Sequence, residues 1–217
     1  MSGLIQRDLL LYFRKNPKIL YVFEAVYFLF FLFIMKNKYG PLTYLLLCTP
    51  IDMSGLPATL KEMDTSYKGM MTARLLPYSK KDLVKGRFYS AFSYHIFSLA
   101  EMLLFTICHY LIWKAFSLEI YFLLFLGGWL IGILLTAVNL LASFLSGLNA
   151  TMIFYMISAI GLVGGYLLFL FSDKSYDFLN QLISTNRVLL FLLGIFVNIL
   201  IVLVCYFISL KHFEKSS

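Results

Sequence analysis

The chain has 217 residues, of which 61% are hydrophobic and 13% charged, with a formal net charge of +7 and a mean hydropathy of +0.84. Soluble domains run at about 45–50% apolar and about 25% charged, so the apolar excess here has to face lipid, and a soluble globular domain is excluded. The positive charges fall in the gaps between apolar runs, where they set topology and meet anionic headgroups, so they do not point to nucleic acid.

In chain order, residues 1–18 are not a span. Leu4, Ile5, Leu9, Tyr12 and Phe13 share an apolar helical face, while Arg7, Arg14 and Lys15 fall largely elsewhere. This pattern predicts an amphipathic helix in the membrane interface, ended by Pro17. The alternative is a basic tail that serves topology alone. The first apolar run shows no small-residue cleavage site and reads as a retained helix.

A hydrocarbon core needs roughly 20 apolar residues of helix. Six stretches qualify: about Ile19–Met35, Leu42–Leu60, Phe88–Trp113, Leu118–Ser146, Thr151–Phe171 and Val188–Leu210. The fourth is long enough to need tilt or a break. Strands are excluded, because open sheets cannot span lipid and no barrel alternation is present. The expected fold is an all-α membrane protein of six transmembrane helices forming one domain over 1–217. Residues 1–18 form its interfacial helix and 61–87 its main polar gap. Thirteen of the 18 lysines and arginines lie in the N-terminal segment, that gap and the C-terminal tail. The positive-inside rule therefore places both termini and the 61–87 gap in the cytoplasm, and the chain in the cell membrane.

Within the second run, TPIDMSGLP holds Pro50, Gly55 and Pro57, which should bend or interrupt the helix and free backbone groups. Asp52 sits in this stretch, and Glu24 and Glu101 are further acids inside apolar runs. Buried charge is costly in lipid, so such residues face the bundle interior or water. For Asp52 two readings stand: it lines a translocation path or pins the bend, or it makes a structural interhelical bond. Glu24, Glu101 and His95 read as structural polar anchors. His95 and His109 lie fourteen residues apart, about 21 Å along a helix, so they are not joint metal ligands.

The polar gap is patterned. Asp64 can N-cap a short helix over about Thr65–Leu75, with Tyr67, Met70, Met71 and Leu75 along one face. Pro77 breaks what precedes. Ser79 can then cap a new helix starting at Lys80, with Asp82 closing a capping box and Tyr78 and Leu83 at the staple positions. Three glycine-type packing faces are present: Gly128 with Gly132, continued by Thr136; Gly161 with Gly165; and Ser143 with Gly147. Each serves either packing within the chain or a seam with a second chain. Cys48, Cys108 and Cys205 lie in apolar runs without metal spacing and read as small hydrophobes. No P-loop, HExxH or nucleophile–base motif occurs, so no metal site and no chemistry of the chain's own is expected.

The run KEMDTSYKGMMTARLLPYSKKDLVKGRFY, residues 61–89, resembles the cytoplasmic segment of small bacterial ABC-2 type permeases, the membrane subunits of ATP-binding-cassette exporters. The matching residues are Glu62, Tyr67, Leu76, Pro77, Ser79, Lys80 and Val84. The six-span layout and N-terminal helix fit as well. The resemblance implies that Thr65–Leu75 is a coupling helix seated in a cleft of a cytoplasmic ATPase, with Asp64, Tyr67, Met70, Met71, Leu75, Pro77, Ser79, Lys80 and Asp82 serving the coupling. It implies two ATPases that carry ATP and magnesium, and a second permease chain, identical or different. The cargo would be an amphipathic peptide, toxin or lipid-like compound. The gaps on the far side are short, unlike those of larger exporters in this class. Two other readings remain open from the residues: an ion-coupled secondary transporter using the intramembrane acids, and a non-transporting immunity or assembly protein.

Overall fold

The computed structural model describes residues 2–15, 18–67, 78–172, 181 and 186–215. Among the described residues the chain is helical and contains no strand. The helices are α1 (Ser2–Lys15), α2 (Lys18–Phe33), a short α3 (Tyr39–Thr43) that runs through a π-helical turn (Tyr44–Cys48) into α4 (Thr49–Tyr67), then α5 (Lys80–Trp113), α6 (Leu118–Leu145), α7 (Leu148–Phe171) and α8 (Arg187–Lys215).

Four of these, α5 to α8, are long and apolar enough to cross a membrane. The 16 residues of α2 span only about 24 Å, short of an average hydrocarbon layer. The 34 residues of α5 span about 51 Å, so its first turns stand outside that layer. The fourth apolar stretch is one unbroken helix, α6, so its length is not accommodated by a break.

The interruption expected near the prolines takes a specific form. Pro50 has no N–H to offer the Leu46 carbonyl, and the turn just before it is wound as a π-turn. The Thr49 hydroxyl lies within 3.1 Å of the Tyr44 carbonyl and 3.2 Å of the Leu45 carbonyl and covers this loosened turn. Pro57 lies inside α4 and frees the Met53 carbonyl, which accepts a hydrogen bond from the Thr136 hydroxyl of α6 at 3.2 Å. Asn139 of α6 likewise donates to the Ser54 carbonyl at 3.1 Å. The broken helix is thus bolted to α6, its principal neighbour. On its other flank α6 packs on α8.

Two apolar clusters fill the bundle. One, at the end that carries both termini, gathers Leu4 and Tyr12 of α1 with Leu60, Val84, Phe88, Leu140 and Phe213. The other, at the far end, gathers Phe31, Tyr44, Leu45, Phe105, Tyr121 and Tyr166, with the Tyr44 and Phe105 rings stacked 4.0 Å apart. Large side chains along α2, α7 and α8 stay exposed, as expected of surfaces that meet lipid.

One expectation is overturned. Asp64 does not cap a new helix: α4 continues through it to Tyr67. Nothing from Ala58 to Met63 breaks the helix, and an Asp caps only where the residues before it leave helical geometry. Asp64 instead pairs with Arg87 of α5. The remainder of the expected coupling helix, with Met70, Met71, Leu75 and Pro77, lies outside the described residues.

Candidate functional site

Three helices converge on one cavity of about 660 Å³. On α2, Glu24, Tyr27 and Phe31 recur at helical spacing along one face; on α5, Ser98 and Glu101 do the same. Tyr44, Cys48 and Asp52 follow from the π-turn into α4. All eight line the cavity, and Tyr155 of α7 closes another wall. The structure thus brings together the three acids that the sequence offers separately.

Their surroundings differ. Glu101 accepts a hydrogen bond from the Tyr44 hydroxyl. Asp52 accepts one from the Tyr94 hydroxyl at 3.1 Å, and Tyr94 in turn meets the Tyr12 hydroxyl at 3.1 Å. A chain of hydroxyls therefore joins the N-terminal helix to the cavity. Among the described residues Glu24 makes no hydrogen bond or ion pair, and neither does Ser98, which is only 3% exposed. By helix rise the three acids stand roughly 14–20 Å from the ends of their helices opposite the termini, near the middle of the hydrocarbon layer.

His95 is buried and bridges α5 to α6 through Thr136 at 2.9 Å, which makes it an interhelical anchor. His109 does the same at the far end with Tyr121 at 2.5 Å.

A second constellation lies at the terminal end. Arg87, buried on α5, holds Asp8 of α1 at 3.1 Å and also pairs with Asp64 of α4. Asp8 is buried as well and is reached by Arg7 at 2.8 Å. Arg87 therefore ties together three elements: the N-terminal helix α1, the helix that enters segment 68–77, and the helix that leaves it. Sequence reasoning counted Arg87 only as a topological charge and passed over Asp8. The available signal was an acid one turn from both Leu4 and Tyr12, on the apolar face of an otherwise basic helix.

The start of α5 is built as its residues require. The Asp82 amide donates to the Ser79 hydroxyl oxygen at 3.1 Å, and the Ser79 amide donates to the Asp82 carboxylate at 3.3 Å, completing the capping box. This turn stands outside the hydrocarbon, and the Ser79 hydroxyl, bonded at 2.6 Å, holds the Asp82 carboxyl below the usual carboxylate range. Tyr78 and Leu83 pack in the same apolar cluster. Lys80 reaches the Glu214 carbonyl at 3.1 Å, which brings the C-terminal helix to the same place.

The glycine faces divide. Gly128 closes on the Leu45 backbone and Gly132 on the Met53 side chain, so this pair packs the broken helix within the chain. Gly161 and Gly165 are exposed, with nothing within 4 Å of where a Cβ would stand.

A family description, ABC-2 family transporter protein, matches residues 3–214, almost the whole chain. The chain belongs to the ABC-2 type transporter permeases. No curated protein and no solved structure matches it. Members of this permease family are membrane transport subunits without an ATP-binding motif of their own, and the family implies an ABC ATPase as partner. The Arg87 constellation of this permease borders the segment that the resemblance assigns to ATPase docking.

Proposed function

We propose that this permease is the membrane half of an exporter driven by a separate ATPase. It crosses the membrane six times, with α2 and the α3–α4 unit as the two shorter or broken spans, and both termini lie in the cytoplasm. Segment 61–87 docks on the ATPase, two copies of which serve two permease chains. Its cargo is an amphipathic peptide, toxin or lipid-like compound that leaves the cell membrane outward.

The observation that carries this reading is the family match together with Arg87 at the root of the docking segment. A push on residues 68–77 acts first on Tyr67 and on the turn that begins α5. Asp64 and Arg87 join these two helices, and Asp8 joins α1 to them. Movement at the dock is then shared by three elements rather than dissipated in a loop. From α1, the Tyr12–Tyr94–Asp52 chain leads to the cavity. The open Gly161–Gly165 face of α7 supports a second permease chain there. The shared acid cavity is also what an ion-coupled carrier would need, and an absent ATPase would move the reading to that mechanism.

The test is purification of the tagged chain from native membranes in mild detergent. An ATPase with a P-loop copurifies with the wild type and is lost from Tyr67→Ala with Met71→Ala, while the permease itself stays folded. Recovery of the permease without any ATPase from either form contradicts the proposal.

A further inference from the structure

The three-acid cavity has features that a merely structural set of carboxylates does not need. Two of its polar groups are unspent among the described residues: Glu24 makes no hydrogen bond or ion pair with them, and Ser98, 3% exposed and lining the cavity, has no partner there. Polar groups left unsatisfied at this depth of the membrane are costly, and they mark a place where something else is bound. A volume of about 660 Å³ falls in the range of small-molecule sites. Three acids and no base line it, so the charge is one-sided. The rings of Tyr27, Phe31 and Tyr44 supply faces that attract cations as well as apolar matter. Among the described residues, no three acidic, histidine or cysteine side chains come close enough to hold a metal ion. The carboxylates are spread around the walls, which suits an extended cation rather than a bare one.

We propose that this cavity binds organic cations, amphipathic molecules whose positive group sits between Glu24 and Asp52 and whose apolar part lies among the aromatic rings. The inference deepens the exporter reading by naming the charge class of the cargo, and it rests on that reading only for calling the bound molecule cargo.

The test uses the full chain in nanodiscs of zwitterionic lipid, without ATPase or ATP. The probes are tetraphenylphosphonium and tetraphenylborate, ions of similar size and shape but opposite charge, and empty discs correct for partition into lipid. Equilibrium dialysis is expected to give saturable binding of the cation and none of the anion. Glu24→Gln and Asp52→Asn each weaken cation binding about tenfold, roughly 1.4 kcal/mol. Glu24 has no bond to lose, so its variant keeps the fold and decides the matter even where Asp52→Asn does not assemble. Equal binding of both ions, or cation binding unchanged in Glu24→Gln, overturns the proposal. The readout needs no ATPase. Failure of the ATPase to copurify would sink the exporter reading and leave cation binding standing, whereas absent cation binding sinks this inference alone.

Discussion

Replacing Arg87 by methionine separates a clamp from a topological charge. The side chain is 6% exposed, and its two partners, Asp8 and Asp64, are 3% and 15% exposed. Removing the guanidinium leaves two carboxylates in one poorly solvated place: Asp64 loses its ion pair, and Asp8 keeps only Arg7. Breaking a buried charge set by taking one partner costs about 3–5 kcal/mol, because the remaining charge is uncompensated. That is a large share of a typical stability of about 5–15 kcal/mol. Neutralising all three groups, as Arg87→Met with Asp8→Asn and Asp64→Asn, removes the uncompensated charge along with the attraction, and should cost no more than about 1–2 kcal/mol. The assay is reversible unfolding in mixed micelles followed by circular dichroism. A single variant within about 1 kcal/mol of wild type, or a triple variant as unstable as the single, refutes the argument.

Three further outcomes follow from the packing. Gly128→Ala drives a methyl into the Leu45 carbonyl, whereas Gly161→Ala meets open space; the first should lose about 1–3 kcal/mol in the same unfolding assay and the second almost nothing. Ser79→Ala removes the cap of α5 and should cost about 1 kcal/mol, with faster amide exchange confined to its first turn. Tyr94→Phe deletes the hydroxyl between Tyr12 and Asp52; it should lower stability by about 1–2 kcal/mol, and cysteine cross-linking of α1 to α5 should become less efficient.

The features legible in the sequence were those carried by neighbours in the chain. Ser79 and Asp82 stand three residues apart, and that spacing alone specifies the capping box that forms. Pro50 and Pro57 announced a broken helix, and Thr136 proved to be the partner of a carbonyl that Pro57 sets free. Pairings between distant positions were not legible. Asp8 and Arg87 are 79 positions apart, and a charge count treats each as an isolated unit. Glu24, Asp52 and Glu101 were each recognisable as costly in lipid, but their shared cavity depends on how α2, α4 and α5 cross. The error at Asp64 has a simple cause: a residue type that caps helices also occurs inside them when a partner on another helix takes its charge. The Gly128 and Gly161 pairs look alike in sequence, yet among the described residues only the first faces a helix of its own chain.

The most direct measurement is photo-cross-linking in native membranes, with benzoylphenylalanine placed at Met71 and, as a comparison, at lipid-exposed Leu104. Position 71 should capture a cytoplasmic chain with a P-loop, ATP should alter the yield, and position 104 should capture none. Position 71 capturing only lipid or this chain itself, in membranes where an ATPase of this class is expressed, would contradict it.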